Sequence, residues 1–214
     1  MLLTLALGIP MGIIAALKKD TALDNVVRVM ALIGYSTPSF WIAYIFLWVF
    51  FVKLRWITLV GVPRPSRLIT GFFILDSLIL GEFDIFYALL GRILLPSFVL
   101  AFISFGGLAR YVRNTMLDVL SSDYILFSRA KGLPPFRLWK HALKNSLIPV
   151  VTIVFFMFAG LLSGAIITET VFQLPGLGMK YMIAIRFFDI PSIIMYTMMT
   201  GLFVVITSLV VDIM

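Results

Sequence analysis

From Leu147 to Thr168, and again from Ser192 to Val211, the chain carries no charged side chain, and between Tyr87 and Val112 it carries only Arg92 and Arg110. Each stretch reaches the roughly 20 apolar residues that a helix needs to cross a hydrocarbon core of about 30 Å. Inside lipid every backbone N–H and C=O must be satisfied within the protein, so continuous apolar runs of this length are restricted to helices. Composition agrees: 62% hydrophobic and 13% charged residues leave too little polar surface for a soluble domain of 214 residues. The expected fold is all-α, a polytopic transmembrane helical bundle.

Five spans are expected. The first is about Met1–Leu17, stopped by Lys18-Lys19-Asp20. It lacks the basic start and small-residue cleavage site of a signal peptide. At about 1.5 Å per residue it falls short of the core thickness, so it reads as a span whose beginning is missing. The second is about Val26–Val52, with Gly34 and Pro38 inside, residues that mark a kink or a close helix approach. The third is about Tyr87–Val112. The fourth is about Leu147–Thr168, with Pro149 in its first turn, where a missing N–H costs nothing. The fifth is about Ser192–Val211, preceded by a short loop at 171–191 with the turn signal Pro175-Gly176.

Between the third and fourth spans lies a polar island, Asp118–Asn145, with Arg129, Lys131, Arg137, Lys140 and Lys144. Basic residues near span ends resist translocation, which places 118–145 in the cytoplasm. Apolar residues recur at helical spacing on both sides of Gly132-Leu133-Pro134-Pro135. Two short amphipathic helices joined by a bend are expected, presented to something in the cytoplasm. Alternation then puts 18–28 inside and the loops 53–86 and 171–191 outside. The loop 53–86 carries Lys53, Arg55, Arg64 and Arg67 against that bias, which weakens in longer loops and is offset by Asp76, Glu82 and Asp84. Its apolar run Phe72–Leu80 is too short to span and reads as an interfacial segment.

Several chemistries are excluded. There is no cysteine, and the single histidine, His141, sits among Lys140 and Lys144, so it reads as a packing or hydrogen-bonding helix residue rather than a metal ligand. No nucleophile–base pair and no glycine-rich phosphate loop is present, so ATP is not bound here and no cofactor is expected in this chain. Ion-coupled carriers place Asp, Glu or His near mid-membrane. Here Arg92, Arg110, Glu169 and Asp212 stand at span ends, so the energy must enter elsewhere, and the patterned loop is the port. The net charge of +7 is explained by orientation in the bilayer and does not point to nucleic acid.

Arg129-Ala130-Lys131-Gly132-Leu133, followed by His141-Ala142-Leu143-Lys144-Asn145 and Leu147-Ile148-Pro149, resembles the cytoplasmic loop of binding-protein-dependent ABC importer permeases of the dipeptide/oligopeptide/nickel branch. Four further stretches resemble the same branch in the same order: Gly34–Trp41, Leu95-Pro96, Leu108–Arg113 with Met116-Leu117, and Glu169–Phe172 with Pro175–Gly178. The broader superfamily has Glu-Ala-Ala ahead of the loop glycine, where this chain reads Leu126-Phe127-Ser128.

The resemblance implies a type I importer permease in the plasma (inner) membrane, short of its first span. Its implied partners are a second permease, two cytoplasmic ATPases that hold the ATP and magnesium, and an extracytoplasmic solute-binding protein. It also implies that Asp123, Tyr124, Leu126, Phe127, Arg129, Ala130, Lys131, Gly132 and Leu133 form the ATPase-coupling helix and its bend. Candidates for the translocation path and gate are Ser36, Pro38, Phe40, Gly106 and Glu169. Each has a plainer reading: the aromatic run 35–51 facing lipid, Gly106-Gly107 permitting close helix approach, Glu169 capping backbone groups. The solute is left open among peptides, nickel complexes and oligosaccharides. A membrane scaffold or regulator without transport, and a secondary carrier, are the alternatives from other classes.

Overall fold

The computed structural model describes residues 1–56 and 61–213; residues 57–60 and the terminal Met214 lie outside the described residues. Among the described residues all regular structure is helical: α1 (Leu2–Leu17), α2 (Ala22–Ser36), α3 (Ser39–Leu47) running into a π-helical turn (Trp48–Lys53), α4 (Phe73–Ile79), α5 (Phe83–Leu120), α6 (Asp123–Ala130), α7 (Pro135–Leu162), α8 (Ile166–Val171), α9 (Leu177–Arg186) and α10 (Ile190–Ile213). Three helical stretches are long and apolar enough to cross a membrane, Phe83–Leu120, Pro135–Val171 and Ile190–Ile213. The pair α2 and α3 makes a fourth if counted as one broken span, and α1 is shorter.

The structure corrects several boundaries. The second span is broken between Ser36 and Ser39, because Pro38 disfavours helical backbone at Thr37, which is extended (φ −88°, ψ 129°). The third is longer at both ends than its apolar core. The second short amphipathic helix of the island is instead the start of α7, and Pro149 lies inside that helix rather than in its first turn. No breaker separates the island from the apolar run. Leu138, Ala142, Ser146 and Val150 make one buried stripe at four-residue spacing across the boundary. The loop 171–191 contains α9, started at Gly176.

The chain forms two compact units. Unit 1 comprises 1–37, 101–163 and 193–214. Here α1 packs on α5 through glycines: a Cβ on Gly12 would stand 2.6 Å from the Ala109 carbonyl oxygen, and one on Gly8 2.9 Å from the Leu108 side chain. Small residues of this kind let helix backbones approach where lipid supplies no hydrophobic drive. Leu5 and Ile9 of α1, Leu108 and Val112 of α5, and Val150 and Ile153 of α7 close one apolar cluster.

Unit 2 comprises 38–100 and 164–192. In it α3 packs on α8 and α8 on α9, and Phe46 stacks on Phe50 and meets Phe98 at 5.6 Å. In the first turn of α4, the buried Asp76 carboxylate accepts from the segment ahead of the helix: the Thr70 N–H (2.8 Å), the Thr70 hydroxyl (2.6 Å) and the Gly71 N–H (3.1 Å). Burial pushes this carboxyl up, but these bonds outweigh it and hold Asp76 below its ordinary value.

Candidate functional site

The polar island is organised around α6 in unit 1. Ser121 and Ser122 end α5, and Asp123 in the first turn of α6 complements the positive end of that helix. Ile125, fully buried, anchors α6 against α7. The Asn145 side-chain amide donates to the Tyr124 hydroxyl (2.7 Å), a second tie between the two helices. The helix ends in two backbone bonds, Gly132 N–H to the Arg129 carbonyl (2.9 Å) and Leu133 N–H to the Ser128 carbonyl (3.3 Å), with Gly132 at φ +76°. That is a Schellman termination, which favours glycine at the left-handed position. Space is not the constraint, since a Cβ on Gly132 would meet nothing within 4 Å.

With Ile125 turned inward, Leu126 and Phe127 point out, and Phe127 is 61% exposed. The Lys131 ammonium lies 4.4 Å from the centre of the Phe127 ring, a cation–π contact that joins the two on one stripe. Arg129 and Ala130 are exposed. Beyond the bend Phe136 and Trp139 of α7 are exposed as well. Sequence reasoning did not single these out, although aromatics beside a Pro-Pro start were the available signal. His141 is exposed and makes no hydrogen bond among the described residues.

Just upstream lies a feature the sequence did not show. Arg113, near the end of α5, donates from Nε to Asp24 Oδ1 (2.6 Å) and from Nη2 to Asp24 Oδ2 (2.7 Å). Asp24, in the first turn of α2, is fully buried; it also accepts from the Asp20 N–H (2.9 Å) and has Arg28 at 3.4 Å. A bidentate, desolvated pair of this kind fixes both helix ends. It ties α2 to α5 eight residues before Ser121.

Of the gate candidates, Ser36 and Gly106 belong to unit 1, and Pro38, Phe40 and Glu169 to unit 2. Gly106 packs α5 on α2: its Cβ would lie 2.5 Å from the Ala31 Cα. Ser36, Pro38 and Phe40 line the break after α2 and are exposed. Glu169 of α8 accepts from the Ala165 N–H (3.2 Å) and the Met179 N–H (2.9 Å). A Cβ on Gly176 would fall within 2.4 Å of that carboxyl, so Gly176 makes room for Glu169 to cap α9. Among the described residues no three His, Asp or Glu side chains could jointly hold a metal ion.

The comparisons with known proteins bear on the whole chain. The family model described as "Binding-protein-dependent transport system inner membrane component" matches residues 8–214. The chain is 38% identical to the probable D,D-dipeptide transport system permease protein of Escherichia coli strain K12, over all of this chain and 64% of that protein. It is 37% identical to a dipeptide transport system permease protein of Alkalihalophilus pseudofirmus (100% and 66% covered) and 35% to an oligopeptide transport system permease protein of Bacillus subtilis strain 168 (100% and 63%). The chain thus spans just under two thirds of the length of these relatives. On a match that runs from the middle of α1 to the last residue, this chain belongs to the family of inner membrane components of binding-protein-dependent transport systems.

Proposed function

We propose that this chain is a permease subunit of an ATP-driven importer that moves short peptides across the inner membrane. The reading is carried by its similarity along its full length to permeases named for dipeptides and oligopeptides. A second permease completes the pathway, two cytoplasmic ATPases drive it, and an extracytoplasmic binding protein delivers the solute. The local geometry suits such coupling. A short helix pinned by Ile125 and Tyr124, and stopped by Gly132, offers Leu126, Phe127 and Lys131 to a partner. In this mechanism α6 sits in a cleft of one ATPase and transmits its closure as a rigid lever, because its ties to α7 leave it little freedom to swivel. The packed helices then exchange inward- and outward-facing arrangements. The five gate candidates remain part of this proposal, with Glu169 shaping the outer turn through α9.

The test is uptake of a labelled dipeptide into proteoliposomes holding the complete transporter with ATP inside and binding protein outside. Accumulation that needs both is expected. Accumulation without ATP, or driven by a proton gradient, would overturn the importer reading.

A further inference from the structure

Unit 2 contains a cavity of about 820 Å³ beside α4, whose lining includes the apolar Leu89, Ile93, Met179 and Phe72 and the basic Arg64 and Lys180. Its other charged groups are turned to backbone. Arg92 donates to the Gly61 carbonyl (2.6 Å) and the Gln173 carbonyl (3.3 Å), and Glu169 accepts from Ala165 and Met179. Arg64 and Lys180 are exposed and have no hydrogen bond or ion pair among the described residues. Arg64, Arg92 and Lys180 against Glu169 leave an excess of positive charge on a cavity otherwise lined largely by apolar side chains.

A peptide would need an acceptor for its ammonium group as well as donors for its carboxylate, and Glu169, the one carboxylate among the described lining residues, has each oxygen already engaged by a backbone N–H. A group that is only anionic, carried on an apolar body, fits better. The neighbouring surface says which body. Phe72, Leu75 and Ile79 form an exposed apolar stripe along α4, a helix of 7 residues, too short to cross a bilayer. Exposed Trp56, and Lys53 at 5.1 Å from the Trp48 ring, belong to the same unit, the residue types that gather at the lipid–water boundary. This also accounts for basic residues in a loop where orientation alone disfavours them.

We propose that this cavity binds the phosphate of an anionic phospholipid, with Arg64 and Lys180 on the phosphate and the acyl chains lying along the α4 stripe. The proposal is independent of which solute is carried. Native mass spectrometry of the purified complete transporter, titrated with phosphatidylglycerol or phosphatidylcholine, tests it. The wild type retains phosphatidylglycerol preferentially. Arg64→Gln with Lys180→Gln weakens that binding about 25-fold, a factor of about 5 for each basic side chain near a lipid surface. The charge-conserving pair Arg64→Lys with Lys180→Arg retains it, which separates lost charge from lost fold. Equal retention of both lipids, or unchanged affinity in the Gln pair, would overturn the proposal. So would displacement of the lipid by millimolar inorganic phosphate, which would make the cavity a free-anion site, or by dialanine, which would make it a solute subsite.

Discussion

Replacing Asp24 with Ala removes the only carboxylate that Arg113 touches among the described residues. The Asp24 side chain is fully buried and that of Arg113 is 11% exposed, so the stranded guanidinium has little access to water. Breaking one side of a buried pair costs roughly 3–5 kcal/mol. The residual exposure of Arg113, and the Asn114 side-chain oxygen 3.4 Å from its Nη1, argue for the low end, about 3 kcal/mol. The reciprocal change, Arg113→Met, strands Asp24 and should cost a similar amount. The double replacement Asp24→Leu with Arg113→Met leaves no buried unpaired charge, Arg28 being exposed to water, and should sit within about 1 kcal/mol of wild type. Denaturant unfolding of the purified protein in mixed micelles, run as a double-mutant cycle with Asp24→Leu as the second single variant, reads these values. The coupling energy should be at least about 2 kcal/mol. A loss below about 1 kcal/mol for Asp24→Ala would refute the reasoning, because it would mean that the guanidinium finds water or another partner without cost.

Gly106→Ala should destabilise by about 1–3 kcal/mol because its new methyl meets the Ala31 backbone, whereas Gly107→Ala, with nothing within 4 Å, should be neutral or slightly stabilising in the same assay. Gly132→Val places a β-branched residue at φ +76° and should strain the end of α6 by about 1–2 kcal/mol, read as loss of solute-stimulated ATP hydrolysis with normal membrane insertion; Gly132→Asn should retain most of it. Lys131→Glu should weaken co-purification of the ATPases more than Arg129→Glu at low salt, the difference shrinking at moderate salt, since Lys131 shares the Phe127 stripe. The lowered folded value of Asp76 means that its stabilisation of the segment before α4 is complete above the ordinary carboxylate range and is lost as pH falls through the folded value. Amide protection over residues 69–79, corrected for the intrinsic exchange rate at each pH, should therefore fall on acidification, and Asp76→Asn should flatten that dependence.

What the sequence determined by itself was whatever depends on local composition and spacing. Uncharged runs near 147–168 and 192–211 dictated helices, because lipid leaves the backbone no other partner. Gly132 after Ala130-Lys131 announced the end of a helix, because only a residue at ease with positive φ closes that turn cheaply. The four-residue offset of Phe127 and Lys131 placed them on one stripe. Tertiary structure decided what depends on distant partners. Asp24 and Arg113 stand 89 residues apart in sequence, and each alone reads as one more polar residue beside a span. That Ile125, and not its neighbours Leu126 or Phe127, turns inward followed from where α7 passes. The continuation of α7 through Pro149 was hidden for the same kind of reason. A proline is a local signal to stop, and the stripe from Leu138 to Val150 that overrides it gains its energy only from burial against other helices.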